Sequence, residues 1–549
     1  MIRRLTLLAL CLASLACAAA QIDAAALDCY RVVPLPHSIR AGQGGAFVLD
    51  STVMIRYDDR VAGMERNAGF LSEYIGELLG FTPIVRPMSM RDFHPQTRRH
   101  DIVLALSDSV TASEGGYRIM VNDHVVFIAG ATPQGVFYGV QTLRKTVARV
   151  VSRPVTLPSV VIDDAPAYGY RGMHLDCSRH FFDVDFVKKY IDLLAMHNMN
   201  VFHWHLSDDQ GWRLEIKKYP RLTQVGSQRS GTVVGHNVGI YDNTPYGGYY
   251  TQAEALDIVD YARERFITVI PEIDMPGHML AALASYPELG CTGGPYQVWR
   301  SWGVSPDVLC LGNDRTLQFC EDVLSEVMEI FPSPYIHIGG DETPRDRWKA
   351  CPRDQAAMAR LGIDVNNYQA HFTTEIERFI NRHGRKIIGW DEILEGDINP
   401  SATVMYWRGW LGDEGIRRAA RSGHDVVLVP NNYLYFDYYQ VPETDDRRYI
   451  YSEPLLIGPG ATMEQIYGMR TLADELDPES RSHVLGMQAN IWTEYIYCPE
   501  LVEYQALPRM AALAEVQWNM ERNDYPGFLS RLTGMRHLYQ LHNYRFHPW

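Results

Sequence analysis

The stretch YIHIGGDE at residues 335–342 is a short apolar run that ends in two adjacent carboxylates, Asp341 and Glu342. Seven other runs share this form, because each is short and apolar and finishes in polar or aromatic residues. The eight runs begin at Tyr170, Asn200, Thr268, Tyr335, Lys386, Thr403, Asp425 and Val484. Short apolar strands that alternate with helices are typical of a parallel sheet, and eight of them predict an α/β fold of the (β/α)8 TIM barrel type.

The segments between the runs favour the same barrel. Amphipathic helical patterns occupy residues 184–196, 252–265 and 368–382, each between successive runs. Only residues 395–402 separate the fifth run from the sixth, which is too few for a complete crossover helix.

The ends of the runs predict where the site lies and what it binds. Catalytic groups of such barrels lie at the carboxyl ends of the strands. Here those ends carry Trp390, Trp407 and Trp492 together with a surplus of Asp and Glu. Carboxylates bind hydroxyls and cleave glycosides, and indole rings stack on sugar rings, so the combination indicates a sugar pocket.

A smaller region precedes the barrel. Two alternating runs at residues 117–121 and 125–129 flank Asn122 and Asp123, which predicts a β-hairpin, and helical spacing follows from Val136 to Val147. We therefore predict a signal peptide at residues 1–20, an α+β domain at residues 21–165 and the catalytic barrel at residues 166–549.

Charge and the N-terminal residues bear on partners and location. The 549 residues include 51 basic and 66 acidic side chains, a net charge of −15, which argues against a nucleic-acid partner. Arg3 and Arg4, an apolar segment and Ala18–Ala20 form an export signal, so we expect a periplasmic or extracellular protein. A lipid anchor at Cys17 is the alternative. No segment is long enough to span a membrane, and the sequence does not indicate an oligomeric state.

Seven of the nine cysteines follow the signal, so at least one has no disulfide partner. Cys291 and Cys310 flank a Gly- and Pro-rich loop, which suggests a disulfide between them. The chain has no CxxC or HExxH spacing, so we expect no metal and no cofactor. His203 and His205 form an HxH pair that would suit a metal-dependent hydrolase, but Trp and not further ligands end the fifth and sixth strands, which favours packed histidines.

Seven strings identify a resemblance. They are RGMHLDCSRHFF (171–182), FHWHLSDDQGWR (202–213), PEIDMPGH (271–278), HIGGDE (337–342), GWDEIL (389–394), YFDYYQ (435–440) and QANIWTEYI (488–496). They resemble glycoside hydrolase family 20, the β-N-acetylhexosaminidases, and the region before residue 165 resembles the accessory domain of that family. The resemblance implies exo-hydrolysis, with retention, of terminal β-linked N-acetylglucosamine or N-acetylgalactosamine from a small oligosaccharide, chitobiose among them, or a glycoconjugate.

The adjacent Asp341 and Glu342 indicate how the reaction runs. Most retaining glycosidases place an acid and a nucleophile on opposite sides of the bond, about 5–5.5 Å apart, which neighbours on one strand do poorly. They suit substrate-assisted catalysis, in which Glu342 is the acid and base and Asp341 orients the acetamido group that attacks C1 to give an oxazolinium intermediate. The alternative is a conventional retaining β-glycosidase, with Glu342 as acid and base and Glu494 as nucleophile. A sugar-binding protein without activity is disfavoured while both carboxylates are present.

By resemblance, nine further residues hold the substrate. They are Tyr435 on the acetamide oxygen, Trp390 and Trp407 around the acetamide methyl, Trp492 beneath the sugar, Arg179, Asp437 and Glu494 on the hydroxyls, and Asp208 and His278 behind the acid. An ion pair for Arg179 and a loop cap for Asp437 stay open as alternatives. We expect burial among indoles and the neighbouring Asp341 to raise the pKa of Glu342 and give an acid-side activity optimum. The loops at residues 225–250 and 291–310 are candidates for the aglycone side.

Overall fold

The computed structural model describes residues 24–89, 100–111, 113–150, 152–412, 414–441, 456–458, 460–470 and 476–549. The proposed signal peptide and lipid-anchor cysteine lie outside these residues. The chain divides into two compact units: the described residues up to Pro166 together with Gly527–Leu538, and residues 167–526 together with 539–549. The segment Gly527–Leu538, which the sequence prediction placed in the barrel region, therefore groups with the first unit.

The first unit is an α+β domain. Seven of its strands form one mixed sheet in the order β1-β9-β6-β7-β5-β3-β4, and β2 pairs with β8. The strands are β1 Ser38–Ala41, β2 Phe47–Leu49, β3 Met54–Asp58, β4 Ile84–Met88, β5 Asp101–Leu106, β6 Tyr117–Val121, β7 Val125–Gly130, β8 Val155–Leu157 and β9 Val160–Asp164. The predicted hairpin is present as antiparallel β6 and β7, with Asn122 in its turn. Its two long helices are Met64–Leu79 and Pro133–Arg149, and Thr132 caps the second.

The second unit contains a closed barrel of eight parallel strands, in chain order. Its strands are β10 Tyr170–Asp176, β11 Val201–His205, β12 Ser207–Asp208, β13 Gly211–Trp212, β14 Gln228–Arg229, β15 Tyr246–Gly247, β16 Thr268–Glu272, β17 Tyr335–His337, β18 Lys386–Trp390, β19 Thr403–Tyr406, β20 Val426–Leu428 and β21 Val484–Ala489. The barrel itself consists of β10, β11 and β16–β21, and β21 pairs with β10 to close it. All eight predicted strands are thus confirmed, and with them the TIM barrel.

Helices occupy most of the connections between barrel strands. The described α-helices in these connections are Val184–Met196, Arg221–Gln224, Gln252–Arg263, Leu280–Ser285, Asp314–Ile330, Asp346–Ala350, Pro352–Leu361, Val365–Arg382, Glu414–Arg421, Asn431–Leu434, Met463–Tyr467 and Pro478–Ser482. Three more follow β21: Pro499–Ala506, Arg509–Trp518 and Tyr525–Leu541. The short link between β18 and β19 is bridged by a 3-10 helix, Asp391–Glu395, which needs fewer residues than an α-helical crossover. Among the described residues, no helix is both long and apolar enough to cross a membrane.

The predicted disulfide between Cys291 and Cys310 is wrong, because both thiols are free. The sulfur of Cys310 instead lies 3.8 Å from that of Cys351, well beyond the roughly 2.05 Å of an S–S bond. The sulfur of Cys291 lies 3.3 Å from a carboxylate oxygen of Asp354. Each thiol therefore faces several possible partners.

Candidate active site

All eight barrel strands contribute to one site at their carboxyl ends. The predicted residues follow or end the strands in this order: Arg179 after β10, Asp208 after β11, His278 after β16, Asp341 and Glu342 after β17, Trp390 in β18, Trp407 after β19, Tyr435 and Asp437 after β20, and Trp492 and Glu494 after β21. Because parallel strands all end at the same rim of a barrel, residues far apart in sequence meet there.

An unusual backbone conformation presents Asp341 and Glu342. Gly339 has φ 65°, and a Cβ at this position would lie 1.7 Å from Oδ1 of Asp274, so only glycine fits. Glu342 has φ 45°, a left-handed conformation that is uncommon for a residue with a side chain. Strain of this kind persists where the surrounding structure imposes it, and it is concentrated at functional sites.

His278 connects the two carboxylates to the barrel wall. Its Nδ1 donates to Oδ1 of Asp208 at 3.1 Å. Its Nε2 lies 3.6 Å from Oε2 of Glu342 and 3.7 Å from Oδ2 of Asp341. Burial opposes the imidazolium charge, but Asp208 and Asp341 outweigh burial and raise the pKa of His278 well above its usual value. The imidazolium of His278 therefore interacts with both carboxylates.

The expectation that the pKa of Glu342 is raised is wrong. The hydrogen bond with His278 lowers the pKa of Glu342, and the opposing effect of burial is weaker. The Glu342 side chain is 42% exposed, so burial raises its pKa by less than the hydrogen bond with His278 lowers it. Burial raises the pKa of Asp341 well above its usual value, and the carboxyl of Asp274 adds to the effect.

Arg179 is held by acidic side chains on one wall of the site. Its guanidinium lies 2.9 Å from Oδ2 of Asp208, 3.3 Å from Asp176 and 3.9 Å from Glu494, and its Nε donates to Gln210 at 3.0 Å. Burial disfavours the charge, but the three carboxylates raise the pKa of Arg179 further. Arg179 therefore does form the buried ion pairs of the alternative interpretation. The same contacts fix the orientation of its guanidinium group.

Asp437, which lies near Glu494, has a different environment. Its side chain is buried, and neither carboxylate oxygen has a hydrogen-bond partner among the described residues. Burial and the charge of Glu494 raise the pKa of Asp437 well above its usual value. The backbone N–H groups of Asp437 and Trp492 lower the pKa of this carboxylate, although burial outweighs them, so the cap interpretation stays open. Oδ1 of Asp341 is likewise buried and without a partner in the part of the chain that the structure describes.

Aromatic rings form the floor and one side of the site. The ring centroid of Trp492 lies 5.7 Å from Trp390 and 6.3 Å from Tyr435. Trp407 stacks on Tyr435 with centroids 6.0 Å apart and ring planes 11° apart. Trp390 is almost completely buried and its indole N–H donates to Glu272 at 2.8 Å, which fixes the orientation of its ring. These rings supply the apolar surface that the sequence predicted.

Three carboxylates at the strand ends, to which the sequence analysis assigned no individual role, also border the site. Burial and Asp341 raise the pKa of Glu392 to about 8, and burial raises that of Asp274 to about 7. Glu272 accepts hydrogen bonds from Trp390 and from Nδ1 of His205, the latter at 2.7 Å. All three end barrel strands in the sequence, but their burial depends on neighbouring strands and cannot be inferred from one run.

His203 and His205 point into the barrel interior, where both are fully buried. Each approaches the same Glu272 carboxylate, at 3.0 Å and 2.7 Å, and Nε2 of His205 also donates to Asp208 at 2.9 Å. Their ring nitrogens therefore take part in hydrogen bonds and charge pairs with protein groups. This arrangement agrees with the interpretation of the HxH motif as a pair of packed histidines.

A cavity of about 610 Å³ adjoins Glu494. The loop at residues 225–250 contributes Thr232, Asp242 and Tyr246 to its wall, and Trp302 comes from the loop at residues 291–310. Both loops that the sequence indicated for substrate contacts therefore reach the site, on the side of Glu494.

Comparison with known proteins identifies the family. The model of glycosyl hydrolase family 20 catalytic domains matches residues 168–521, and the model of domain 2 of that family matches residues 29–165. The chain therefore belongs to glycosyl hydrolase family 20. The resemblance predicted from the sequence motifs is confirmed.

Individual relatives agree with this assignment. A β-hexosaminidase from Porphyromonas gingivalis is 44% identical over 455 residues, which make up 81% of this chain and 56% of that protein. The β-N-acetylhexosaminidase structure from Streptomyces coelicolor has 30% identity and a TM-score of 0.79, and the match covers 95% of this chain and 98% of that one. An exo β-N-acetylglucosaminidase structure from Vibrio harveyi, in complex with N-acetylglucosamine, has the same identity and TM-score and covers 95% and 78%.

Proposed function

We propose that the protein is an exo-acting β-N-acetylhexosaminidase that removes terminal, non-reducing N-acetylglucosamine or N-acetylgalactosamine with retention, by substrate-assisted catalysis. One observation carries the proposal: a single nitrogen of His278 lies 3.6–3.7 Å from both Asp341 and Glu342. Two carboxylates so close together act on one side of the scissile bond, so the nucleophile comes from elsewhere. The 2-acetamido group of the substrate is such a nucleophile.

In the first step, the acetamido carbonyl oxygen attacks C1 while the glycosidic C1–O bond breaks. Glu342, which faces solvent more than Asp341 does, gives its proton to the leaving oxygen. The unpaired Oδ1 of Asp341 accepts the acetamido N–H and stabilises the positive charge that develops on the oxazolinium ring. Intramolecular attack gains from proximity, which removes about 7–11 kcal/mol of barrier when the groups are well oriented.

In the second step, water attacks C1 and returns the proton to Glu342. The bond between C1 and the acetamide oxygen breaks, and the sugar leaves with its original configuration. The ring of Tyr435 lies between Trp407 and Trp492, the rings that border the acetamide methyl and the sugar. From this position the Tyr435 hydroxyl donates to the acetamide oxygen in both steps. Trp390 and Trp407 border the acetamide methyl, and Trp492 lies under the sugar ring.

The hydroxyl groups of the terminal sugar are held by Arg179, Glu494 and Asp437. Arg179 binds the O3 and O4 side, and the unpaired oxygens of Asp437 accept hydroxyl protons that no described residue supplies. With Glu494 on the O4 and O6 side, the adjoining cavity lies on that side too. The proposal therefore moves the loops at residues 225–250 and 291–310 away from the aglycone side, where the sequence analysis had placed them.

The competing mechanism uses Glu494 as a nucleophile. Glu494 lies 3.9 Å from the guanidinium of Arg179. Arg179 in turn contacts Asp208, Asp208 contacts His278, and His278 approaches Glu342. A carboxylate engaged with a cation is a weaker nucleophile, which favours the substrate-assisted route. Export of the chain, chitobiose as a natural substrate and action on glycoconjugates stay predictions.

Comparing two substrates tests the mechanism. The wild-type enzyme is expected to cleave an aryl β-N-acetylglucosaminide and to lose about 10³-fold or more in kcat/KM on the aryl β-glucoside, which lacks the acetamide. In a Glu494→Ala variant, added azide should not yield a glycosyl azide of inverted configuration. Comparable turnover of both substrates, or an inverted azide product, would establish the two-carboxylate mechanism instead.

A further inference from the structure

Three cysteines and one aspartate converge outside the active site. The group consists of Cys291, Cys310, Cys351 and Asp354, whose sulfur and oxygen atoms all lie within 4.8 Å of one another. They belong to two separate segments of the second unit, the loop at residues 291–310 and the start of the helix Pro352–Leu361. Neither the family assignment nor the proposed function uses them.

The separations fit a tetrahedral metal ion. Zinc takes four ligands in structural sites, with Zn–S near 2.3 Å and Zn–O near 2.0–2.2 Å, so two sulfurs of one site lie roughly 3.8 Å apart and a sulfur and an oxygen roughly 3.5 Å apart. The sulfurs of Cys310 and Cys351 are 3.8 Å apart, and the sulfur of Cys291 is 3.3 Å from Oδ2 of Asp354. Bonded sulfur atoms would be much closer together than the first pair.

Neighbouring residues hold the four side chains in the way that outer hydrogen bonds hold metal ligands. Oδ1 of Asp354 accepts hydrogen bonds from the backbone N–H of Gly312 at 2.6 Å and from the hydroxyl of Tyr368 at 3.1 Å. These bonds fix the carboxylate and direct Oδ2 toward the sulfurs, as outer hydrogen bonds do for metal-binding carboxylates. Arg353 interacts with Cys310 and Cys351, which supplies a positive charge beside the thiolates.

Burial favours a structural role for the group. Cys310, Cys351 and Asp354 are buried, and Cys291 packs against an apolar cluster that includes Trp348 and Tyr368. The ionised carboxylate and thiolates that bind a metal would be costly to enclose in such a place without a cation. Four ligands leave no open position for a catalytic water.

We propose that Cys291, Cys310, Cys351 and Asp354 bind one structural zinc ion. The ion would join the base of the loop at residues 291–310 to the segment that follows Glu342. That loop reaches the active site, because its Ser305 N–H donates to Asp209, the neighbour of Asp208, at 3.0 Å. The bound zinc therefore holds the loop at residues 291–310 against the segment that follows Glu342, without touching substrate. The spacing of the four ligands matches no common zinc motif, so the sequence pattern alone does not indicate the site.

Metal analysis of the full-length protein, purified without chelator or reductant, tests the proposal. We expect about one zinc per chain, and we expect Cys351→Ser and Asp354→Asn to lose most of it. Cys498→Ser is the matched control, since Cys498 lies outside the group, and it should retain its zinc. Cobalt substituted for zinc should give thiolate charge-transfer and tetrahedral d–d absorption that Cys351→Ser lacks.

Alkylation and mass spectrometry separate zinc from a disulfide, which an oxidising compartment would favour. With zinc bound, the three thiols should resist alkylation and become reactive after chelation, with no linked peptides. The thermal unfolding midpoint should fall on chelation in the wild type and in Cys498→Ser but not in Cys351→Ser. A disulfide between any two of the three cysteines, equal zinc in Cys351→Ser, or failure of the reduced protein to take up micromolar zinc would overturn the proposal. If the variants do not fold, X-ray absorption of the wild-type protein that shows fewer than three sulfur ligands overturns it as well.

Discussion

Two walls of the active site differ in how far their buried charged side chains are paired with other side chains. On one wall, Arg179 and Asp208 are buried but fully engaged, with contacts to Asp176, His205 and His278. On the other wall, the carboxylate of Asp437 is equally buried, but no described side chain donates a hydrogen bond to its oxygens. The first wall is completed by the protein itself, whereas the second is completed only by a ligand.

This contrast separates residues that organise the site from residues that receive the substrate. Burying a polar group without a partner costs free energy, so a fold retains such a group where function requires it. Asp341, whose Oδ1 is also unpaired, belongs with Asp437 in this respect. Substitutions should therefore affect stability on the engaged wall and activity at the unpaired carboxylates.

The largest expected effect is on the reacting pair. Glu342→Gln removes the transferable proton and should lower kcat/KM on a substrate with a poor leaving group by about 10²–10⁴-fold. Asp341→Asn removes the charge that stabilises the oxazolinium ring and should cost about 10²–10³-fold, judged from comparable electrostatic groups. Steady-state kinetics measure both changes.

Matched controls for these variants are available on the surface. Glu375→Gln and Asp346→Asn make the same chemical changes in exposed ion pairs and should leave kcat/KM unchanged. Neither active-site variant should be less stable than the wild type. Near-normal activity of Asp341→Asn would remove the basis for substrate assistance.

The next effect is on stability and concerns the engaged wall. Asp208→Asn removes the buried counter-charge that Arg179 and His278 share and should lower the free energy of unfolding by about 3–5 kcal/mol. Urea unfolding followed by tryptophan fluorescence measures it, and all eleven tryptophans lie in the second unit. Asp257→Asn, in a surface ion pair with Lys188, should cost less than about 1 kcal/mol. Equal effects of the two substitutions would show that the buried network is not organising the site.

Sequence reasoning succeeded where a pattern is local and failed where it is not. The eight strands follow from short apolar runs, and the position of Asp341 and Glu342 at the rim follows from strand direction. The lowered pKa of Glu342 could not be foreseen, because it depends on His278, 64 positions earlier in the chain. The disulfide between Cys291 and Cys310 was wrong for a similar reason, since Cys351 and Asp354 approach from a distant segment.

A smaller effect concerns pH and His278, which links the two walls. Activity needs one proton on the Asp341–Glu342 pair, so kcat/KM should fall as pH rises and the pair loses that proton. His278→Gln removes a positive charge that favours both carboxylates in their ionised form. The alkaline limb of the pH profile should therefore move upward by about 1–3 pH units, while the activity itself decreases. A limb that stays in place, or a rate that is flat from about pH 5 to 9, would mean that His278 does not control the pair.

The smallest effect is a gain in stability at Asp437, the unpaired carboxylate. Its pKa is raised by burial and by Glu494, so the folded state holds the proton to higher pH than the unfolded state does. Stability from this group is therefore fully present below the unfolded pKa near 3.9 and is lost as pH rises toward the folded pKa, by about 1.4 kcal/mol for each pH unit between the two.

Asp437→Asn cannot ionise, so it should match the wild type near pH 4 and unfold at higher urea concentration near pH 7. Its KM should rise because an acceptor of a sugar hydroxyl is lost. Tryptophan-monitored urea titrations at the two pH values, combined with kinetics, test both statements. A variant that is less stable than the wild type at pH 7 would place Asp437 with the engaged wall, because its carboxylate would then be satisfied by the protein and not by the ligand.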